Sequence, residues 1–473
     1  MRSAIFRRFF FILTFSLFVS AAMAQKEYRI TVRLDGLTDS LLLLASYSGD
    51  KQFVVDTARA NLQKGYVFAR KERLPEGMYL IAGESKNKLF DFIVSGSQTF
   101  TITGDKAALP ASLRALKSDE NQRFFDYIRF LGEKQKQQAL LNEQKKKAAP
   151  ESDSAAVLQS RLDLLDEEVK RTISGIIQSH PESFLALFLK AMQEIEIPPT
   201  PLLPNGRPDS AFPFRYYKSH FWDNADLSDD RLIRTPFIHS KVEQYLNRLT
   251  SPAPDSLIVS MDHLLKLTGN SEEAFKYLAW YFTVKYESSE IMGYDAIFVH
   301  LADTWYQDPR MKWMNATVKE NLIKRANALR PVLIGKTAPE MILIDTLNNA
   351  VSLHRLSADY IIIYFWDPDC SHCKKETPQL RDFYAANKEK YNLEVYAVCM
   401  DTSWKDMKAY IKKNELKWVN VNGYYSVTPD FRELYDVHTS PVLYLLDRNR
   451  RIIAKRILSS QMENILKYET EKK

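Results

Sequence analysis

Apolar and polar positions follow three regimes along the chain. From Gln25 to Lys106, short runs alternate the two, as in Tyr28-Arg-Ile-Thr-Val-Arg-Leu34 and Thr99-Phe-Thr-Ile-Thr103, and glycines 36, 49, 65, 77, 83, 96 and 104 punctuate them. Period-two alternation between turn residues predicts short strands joined by hairpins, and so a small β-sandwich over residues 25–106. From 107 to 333 the period lengthens to that of a helix. Lys117 to Lys147 is long, charged and rich in Gln, Glu, Lys and Leu; Ala148-Ala-Pro150 breaks it, Ser154 to His180 resumes it, and Pro181-Glu-Ser183 starts another helix. The prolines of Ile197-Pro-Pro-Thr-Pro-Leu-Leu-Pro-Asn-Gly-Arg-Pro208 exclude helix and central strand, so residues 197–213 read as a loop. Phe212 to Trp222, Val242 to Leu249 and Ala274 to Tyr286 are again helical, with aromatics at core spacing. The last regime, 334–473, alternates strand-like and helix-like runs. The strand-like runs are Met341–Asp345, Ala350–Leu353, Tyr360–Trp366, Leu393–Met400, Val442–Asp447 and Ile452–Arg456; the helical ones are Lys374–Tyr391, Trp404–Asn414 and Ser460–Glu471. That order predicts an α/β sheet flanked by helices and finished by a hairpin around Arg448-Asn-Arg450.

Composition changes this picture at the N-terminus. Arg2, Arg7 and Arg8, the apolar run Phe9–Val19 and Ala22-Met-Ala24 have the order of an export signal cleaved after residue 24. The apolar run is short for a span of roughly 20 residues; retention as an N-terminal anchor stays open. The net charge of +6 is dispersed, without a basic stripe interleaved with aromatics, which excludes nucleic acid as a partner. Only Cys370, Cys373 and Cys399 occur, so an exported chain of this size is not stapled by disulfides. Gly335-Lys-Thr337 lacks the earlier glycine of a phosphate loop, Arg330 standing there, and nucleotide binding is set aside.

The candidate chemistry lies in Trp366-Asp-Pro-Asp-Cys-Ser-His-Cys-Lys-Lys-Glu-Thr-Pro378. A buried strand, a tight loop and a helix whose first turn holds Cys370 and Cys373 place two sulfurs where free N–H groups and a partial positive charge stabilise a thiolate. A thiolate attacks disulfides, and two cysteines this close can act as a redox couple. Half of a zinc site is the competing reading, but no second Cys or His pair lies at ligand spacing. Cys399, in the apolar run Leu393–Met400, reads as a buried inert thiol.

Residues 334–473 resemble the TlpA/ResA group of exported thiol–disulfide oxidoreductases within the thioredoxin superfamily. The resemblance rests on Ile334-Gly-Lys-Thr-Ala-Pro339, on Phe365-Trp366 before the cysteine pair, on Pro378, and on Ser440-Pro441 at the family's cis-proline loop. It implies a thioredoxin-like fold, a redox-active disulfide between Cys370 and Cys373, and no other cofactor or metal. Cys370 would be the attacking thiolate and Cys373 the resolving one, with substrate contacts at Trp366, Ser440 and Pro441. Glu376 matches the acidic residue beside the cysteines and would shuttle a proton, because Tyr364 replaces the buried Asp of plain thioredoxin. A first-turn acid favouring its own helix dipole is the plainer reading of Glu376. His372 and Asp369 would tune the thiol in opposite senses. Asp35-Gly-Leu, Val55-Asp-Thr57 and Leu74-Pro-Glu-Gly-Met-Tyr79 resemble a domain of unknown function fused ahead of such proteins. Phe214-Arg-Tyr-Tyr217, Arg234-Thr-Pro236 and Glu287-Ser-Ser-Glu-Ile-Met-Gly293 resemble a second one over 214–306.

The expectation is therefore a periplasmic or cell-envelope protein of three parts, an N-terminal β-sandwich, a central all-α region and a C-terminal thioredoxin-like α/β domain. It exchanges dithiol for disulfide on protein substrates, more in the reducing direction, and is served by a membrane electron-donor or acceptor protein. Two alternatives stand beside it: a non-catalytic docking module, and a copper chaperone with His354 or His438 as third ligand. A peroxidase is excluded by the missing Pro-x-x-x-Thr/Ser-x-x-Cys loop.

Overall fold

The computed structural model describes residues 27–61, 63–149 and 152–471; the expected export signal lies outside them. The chain divides into two compact units, one of residues up to Leu249 with Lys266–Tyr277, the other of Thr250–Leu265 with Leu278–Lys473. Among the described residues no helix is long and apolar enough to cross a membrane.

In the first unit, strands β1 (Tyr28–Asp35), β2 (Leu41–Ser48), β3 (Lys51–Arg59), β4 (Tyr66–Arg70), β5 (Gly77–Ala82), β6 (Lys88–Val94), β7 (Thr99–Asp105) and β8 (Arg114–Leu116) form two four-stranded sheets. Their orders are β4-β1-β7-β8 and β3-β2-β5-β6. The alternation read from sequence is the burial pattern: Tyr28, Ile30, Val32 and Leu34 point inward and share one core with Leu42, Leu44, Phe68, Phe92 and Phe100. The sandwich does not close at residue 106 as expected. Strand β8 completes one sheet, and α1 (Asp119–Lys147) and α3 (Phe184–Met192) insert Phe124, Phe125, Phe184 and Phe188 into the same core. Between them runs α2 (Asp153–Ser179), which pairs with α1 and is tied to it by Lys134–Glu168 at 2.7 Å. Ser118, Ser152 and Ser183 cap these three helices with side-chain oxygens, which fixes where each begins. The proline-rich segment carries no helix or strand up to Ala211, only a bridge between Leu202 and Pro208; α4 (Phe212–His220) takes the last two positions of the expected loop, and α5 (Ile238–Arg248) follows.

The helical stretch expected as one domain is divided between the units. Helices α6 (Pro254–Leu267) and α7 (Glu272–Glu287) carry residues of both, and α8 (Asp295–Thr304) and α9 (Ala316–Leu329) belong to the second.

The second unit is built on a seven-stranded sheet of β9 (Ile342–Asp345), β10 (Ala350–Ser352), β11 (Tyr360–Trp366), β12 (Leu393–Cys399), β13 (Val419–Ser426), β14 (Val442–Leu446) and β15 (Ile452–Lys455), in the order β10-β9-β13-β12-β11-β14-β15. Every residue of β11 is buried, because the sheet is covered on both faces. Tyr360, Ile362, Tyr364 and Trp366 pack with residues of α10 (Ser371–Tyr391), α11 (Trp404–Asn414) and α13 (Ser459–Glu471). Ile361, Ile363 and Phe365 pack on the other face with Val332, Leu343 and the residues of α12 (Phe431–Tyr435). Strands β11, β12 and β13 run parallel and β14 runs against β11, so the C-terminal end of β11 lies beside the start of β14.

The sequence reading leaves β13 and α12 unassigned. Strand β13 hides its alternation because two inward positions are asparagines, Asn420 and Asn422. Both are buried and satisfied, Asn420 donating to Trp418 O at 2.9 Å and Asn422 to Asp401 O at 2.8 Å.

Within this unit Lys455 is 4% exposed, and its ammonium donates to Asp295 of α8 and to Val332 O (2.7 Å). Burial pulls its pKa down and Asp295 opposes that pull. A buried cation deprived of its partner is strongly destabilising. Asp295→Ala is therefore expected to lower the unfolding free energy by about 3 kcal/mol in urea titration, with Asp295→Ala/Lys455→Met recovering most of it. Equal stability of wild type and Asp295→Ala would contradict the assignment.

Candidate active site

Where β11 leaves the sheet at Trp366 the chain turns back within four residues: Cys370 N–H donates to Asp367 O (3.2 Å), and Asp369 N–H to Asp367 Oδ1 (2.7 Å). Cys370 is then the cap of α10, in extended backbone conformation, and its Sγ accepts from Cys373 N–H at 3.2 Å. A sulfur thus occupies the place that Ser, Thr, Asp or Asn oxygens usually take at a helix start, facing the positive end of a 21-residue helix. Cys370 Sγ also lies 3.3 Å from Ser440 O, to which its S–H donates. The Ser440–Pro441 bond is cis, and Val442, next in the chain, pairs with Phe365 in the sheet. Adjacency of β11 and β14 is what brings the proline loop against the cysteines.

The two sulfurs differ in environment. Cys370 is half-buried and Cys373 wholly buried, and all three cysteines are free thiols. Burial pushes the Cys370 thiol up, but hydrogen bonds from the Cys373 thiol, from the Ser440 side chain and from the N–H groups of Cys373 and His372 outweigh it, leaving Cys370 below the ordinary cysteine value. Burial drives Cys373 the other way, up to about 12, and its hydrogen bond to Cys370 adds to the rise. Cys399 lies on β12 opposite Trp366, buried, with its thiol likewise pushed up to about 12 by burial.

The other expected site residues are arranged less simply. Trp366, expected at the substrate surface, is fully buried; its ring lies tilted against that of Tyr410, centroids 4.8 Å apart. It cannot touch a substrate, because the alternation of β11 turns it into the core beneath α10. His372 and Asp369 are exposed; it is the His372 backbone N–H that acts on the Cys370 sulfur. Glu376 is buried, and its Oε1 accepts from Ser459 N–H (2.6 Å), the first residue of α13. Its carboxylate therefore serves the start of a different helix from its own. His354 binds Ala338 O (2.8 Å) and His438 faces Asp436 (3.7 Å); among the described residues no three Cys, His, Asp or Glu gather as metal ligands.

Sequence reasoning missed what lies under Cys373. Tyr364 OH and Thr377 Oγ1 share a hydrogen bond (2.8 Å), and Tyr410 OH donates towards both Thr377 Oγ1 (3.1 Å) and Cys373 O (3.4 Å). Burial raises the Tyr364 pKa, so this phenol stays protonated and holds the helix rather than carrying protons. Thr377, four residues past Cys373, was findable from helical spacing; Tyr410, on α11, was not.

These environments predict one reactive thiol. Iodoacetamide labelling of the reduced protein should follow the thiolate fraction, rising with pH in a single step centred below the ordinary cysteine value, and should vanish in Cys370→Ser. Labelling of Cys373 or Cys399 at neutral pH would contradict the geometry.

Residues 358–452 match the family model described as Thioredoxin-like, and residues 168–327 match a domain of unknown function (DUF5106). The chain is 27% identical over 142 residues to the thiol-disulfide oxidoreductase ResA of Bacillus cereus, spanning 28% of this chain and 76% of that protein. A solved domain of a possible thiol-disulfide isomerase from Cytophaga hutchinsonii is 37% identical, covering 29% of this chain and 95% of that one, with a TM-score of 0.28. A thioredoxin-like protein from Bacteroides caccae is 18% identical, covering 58% of this chain and 99% of that one, with a TM-score of 0.45. Its paired cysteines at the head of α10 thus stand in a thioredoxin-like domain, residues 358–452, whose relatives in sequence are thiol–disulfide oxidoreductases.

Proposed function

We propose that the protein is an exported thiol–disulfide oxidoreductase that reduces disulfides of protein substrates through Cys370 and Cys373. The observation carrying this reading is the division of labour between the sulfurs: Cys370 half-buried with its pKa lowered, Cys373 buried with its pKa raised.

The steps follow from that asymmetry. The Cys370 thiolate attacks one sulfur of a substrate disulfide; the substrate S–S bond breaks, a Cys370–substrate disulfide forms, and one substrate thiolate leaves. Cys373 then gives up its proton and its thiolate attacks Cys370 Sγ. The Cys370–Cys373 bond forms and the second substrate thiolate departs, so two electrons pass to the substrate. Glu376, buried three residues beyond Cys373, is the carboxylate we assign to take the Cys373 proton. An extended substrate segment would pair with the backbone at Ser440–Pro441 while its sulfur meets Cys370. A membrane electron-donor protein would return the disulfide to dithiol, in the periplasm or cell envelope. The export-like N-terminal pattern and the single close cysteine pair support that location.

Insulin reduction with dithiothreitol as electron donor tests the reading. Wild type should accelerate precipitation of the insulin B chain, Cys370→Ser should reduce it to background, and Cys373→Ala should stall as a covalent Cys370–substrate disulfide resolved on non-reducing gels. Glu376→Gln should leave the first step unchanged and slow the second. Equal rates for wild type and Cys370→Ser would overturn the proposal.

A further inference from the structure

The segment that presents Ser440 to Cys370 is anchored from outside the sheet. It begins at Asp436, the residue that ends α12 in left-handed conformation (φ 52°), and its carboxylate is 3% exposed. One carboxylate oxygen accepts from Arg325 Nη1 of α9. The other accepts from Arg456 Nη2 at 3.2 Å, and His438 Nε2 lies 3.7 Å from the first. Arg325 is itself held by Glu287 of α7, Nε to Oε1 at 3.4 Å. Val437, next in the chain, is buried in the core with Phe365 and Tyr444. Beyond it His438 and Thr439 are exposed, and then comes Ser440, whose carbonyl meets the reactive sulfur. The position of that carbonyl is thus set by Val437 packing and by the salt-bridged carboxylate of Asp436.

Arg325, with Glu287 behind it, comes from the helices preceding the thioredoxin-like sheet and lies inside the stretch matching the domain of unknown function. A buried carboxylate between two guanidinium groups takes one geometry; with one partner removed, the desolvated charge seeks another. We propose that Arg325 is a positioning residue of the redox site: through Asp436 it fixes the 436–441 segment against which an extended protein substrate aligns. The helices then serve the redox domain as part of its substrate platform.

The inference rests on the proposed reductase activity and predicts a particular kinetic signature. A protein disulfide needs both the sulfur and the aligned backbone, whereas a small disulfide needs only the sulfur. Arg325→Ala should raise KM for insulin about fivefold or more with kcat little changed, the pattern of lost binding. Reaction with oxidised glutathione should stay within about twofold of wild type. Arg325→Lys, which keeps the charge, should recover most of the loss, and Asp436→Asn should reproduce it. If Arg325→Ala loses its helical circular dichroism, Arg325→Lys and Asp436→Asn decide: a raised insulin KM at an unchanged glutathione rate supports the link. An unchanged insulin KM, or insulin and glutathione rates falling together, overturns it. A wild type inactive on insulin removes the reductase reading itself, an outcome distinct from active enzymes with equal KM.

Discussion

Convergence of hydrogen-bond donors on the sulfur of Cys370, the Cys373 N–H at 3.2 Å among them, is the constraint on which the chemistry depends. It exists because Cys370 caps α10, and Cys370 caps α10 because β11 stops at Trp366 and the chain turns back on Asp367. The same geometry that exposes one sulfur to the helix terminus sends the other, one turn along, into the core. Two thiols of the same chemical kind are thereby given different acidities by position alone. A pair with equal environments would have no defined attacker and no defined resolver.

The surrounding residues hold that geometry, and of them only Glu376 is also assigned a proton to carry. Trp366 packed against Tyr410, and Thr377 bridging Tyr364 and Tyr410, fasten the first turns of α10 to the sheet and to α11. Glu376 joins α10 to the start of α13. On the opposite side β14 delivers Ser440 to the sulfur, and the Asp436 network secures the segment that leads there. The site is a convergence of four chain segments distant in sequence, which explains why a whole domain is needed to keep two cysteines apart in acidity.

Much of this was legible from residue patterns because the signals were local. The apolar run Tyr360–Trp366, the cysteine spacing and the helix after it specify strand, loop and helix within about thirty residues. Ser440-Pro441 was recognisable by resemblance, and the bond is cis. What sequence concealed was set by tertiary contact. Trp366 looked like a substrate contact beside a reactive cysteine, yet the sheet is covered on both faces and the ring lies wholly in the core. Asn420 and Asn422 broke the apolar rhythm of β13 because their polarity is satisfied internally. The sandwich boundary moved because Phe124, Phe125, Phe184 and Phe188, which look like ordinary helix core residues, complete a β core. The pairing of Arg325 with Asp436 spans 111 residues and leaves no trace in either neighbourhood.

The central claim is that Cys370 and Cys373 form one two-electron couple while Cys399 stands apart. Equilibrating the protein in buffers of graded reduced and oxidised glutathione, then alkylating and mapping the peptides by mass, tests it directly. The account predicts a single transition in which Cys370 and Cys373 disappear together into one intramolecular disulfide, with Cys399 remaining a thiol throughout. Independent oxidation of the two, or a bond from either to Cys399, would contradict it.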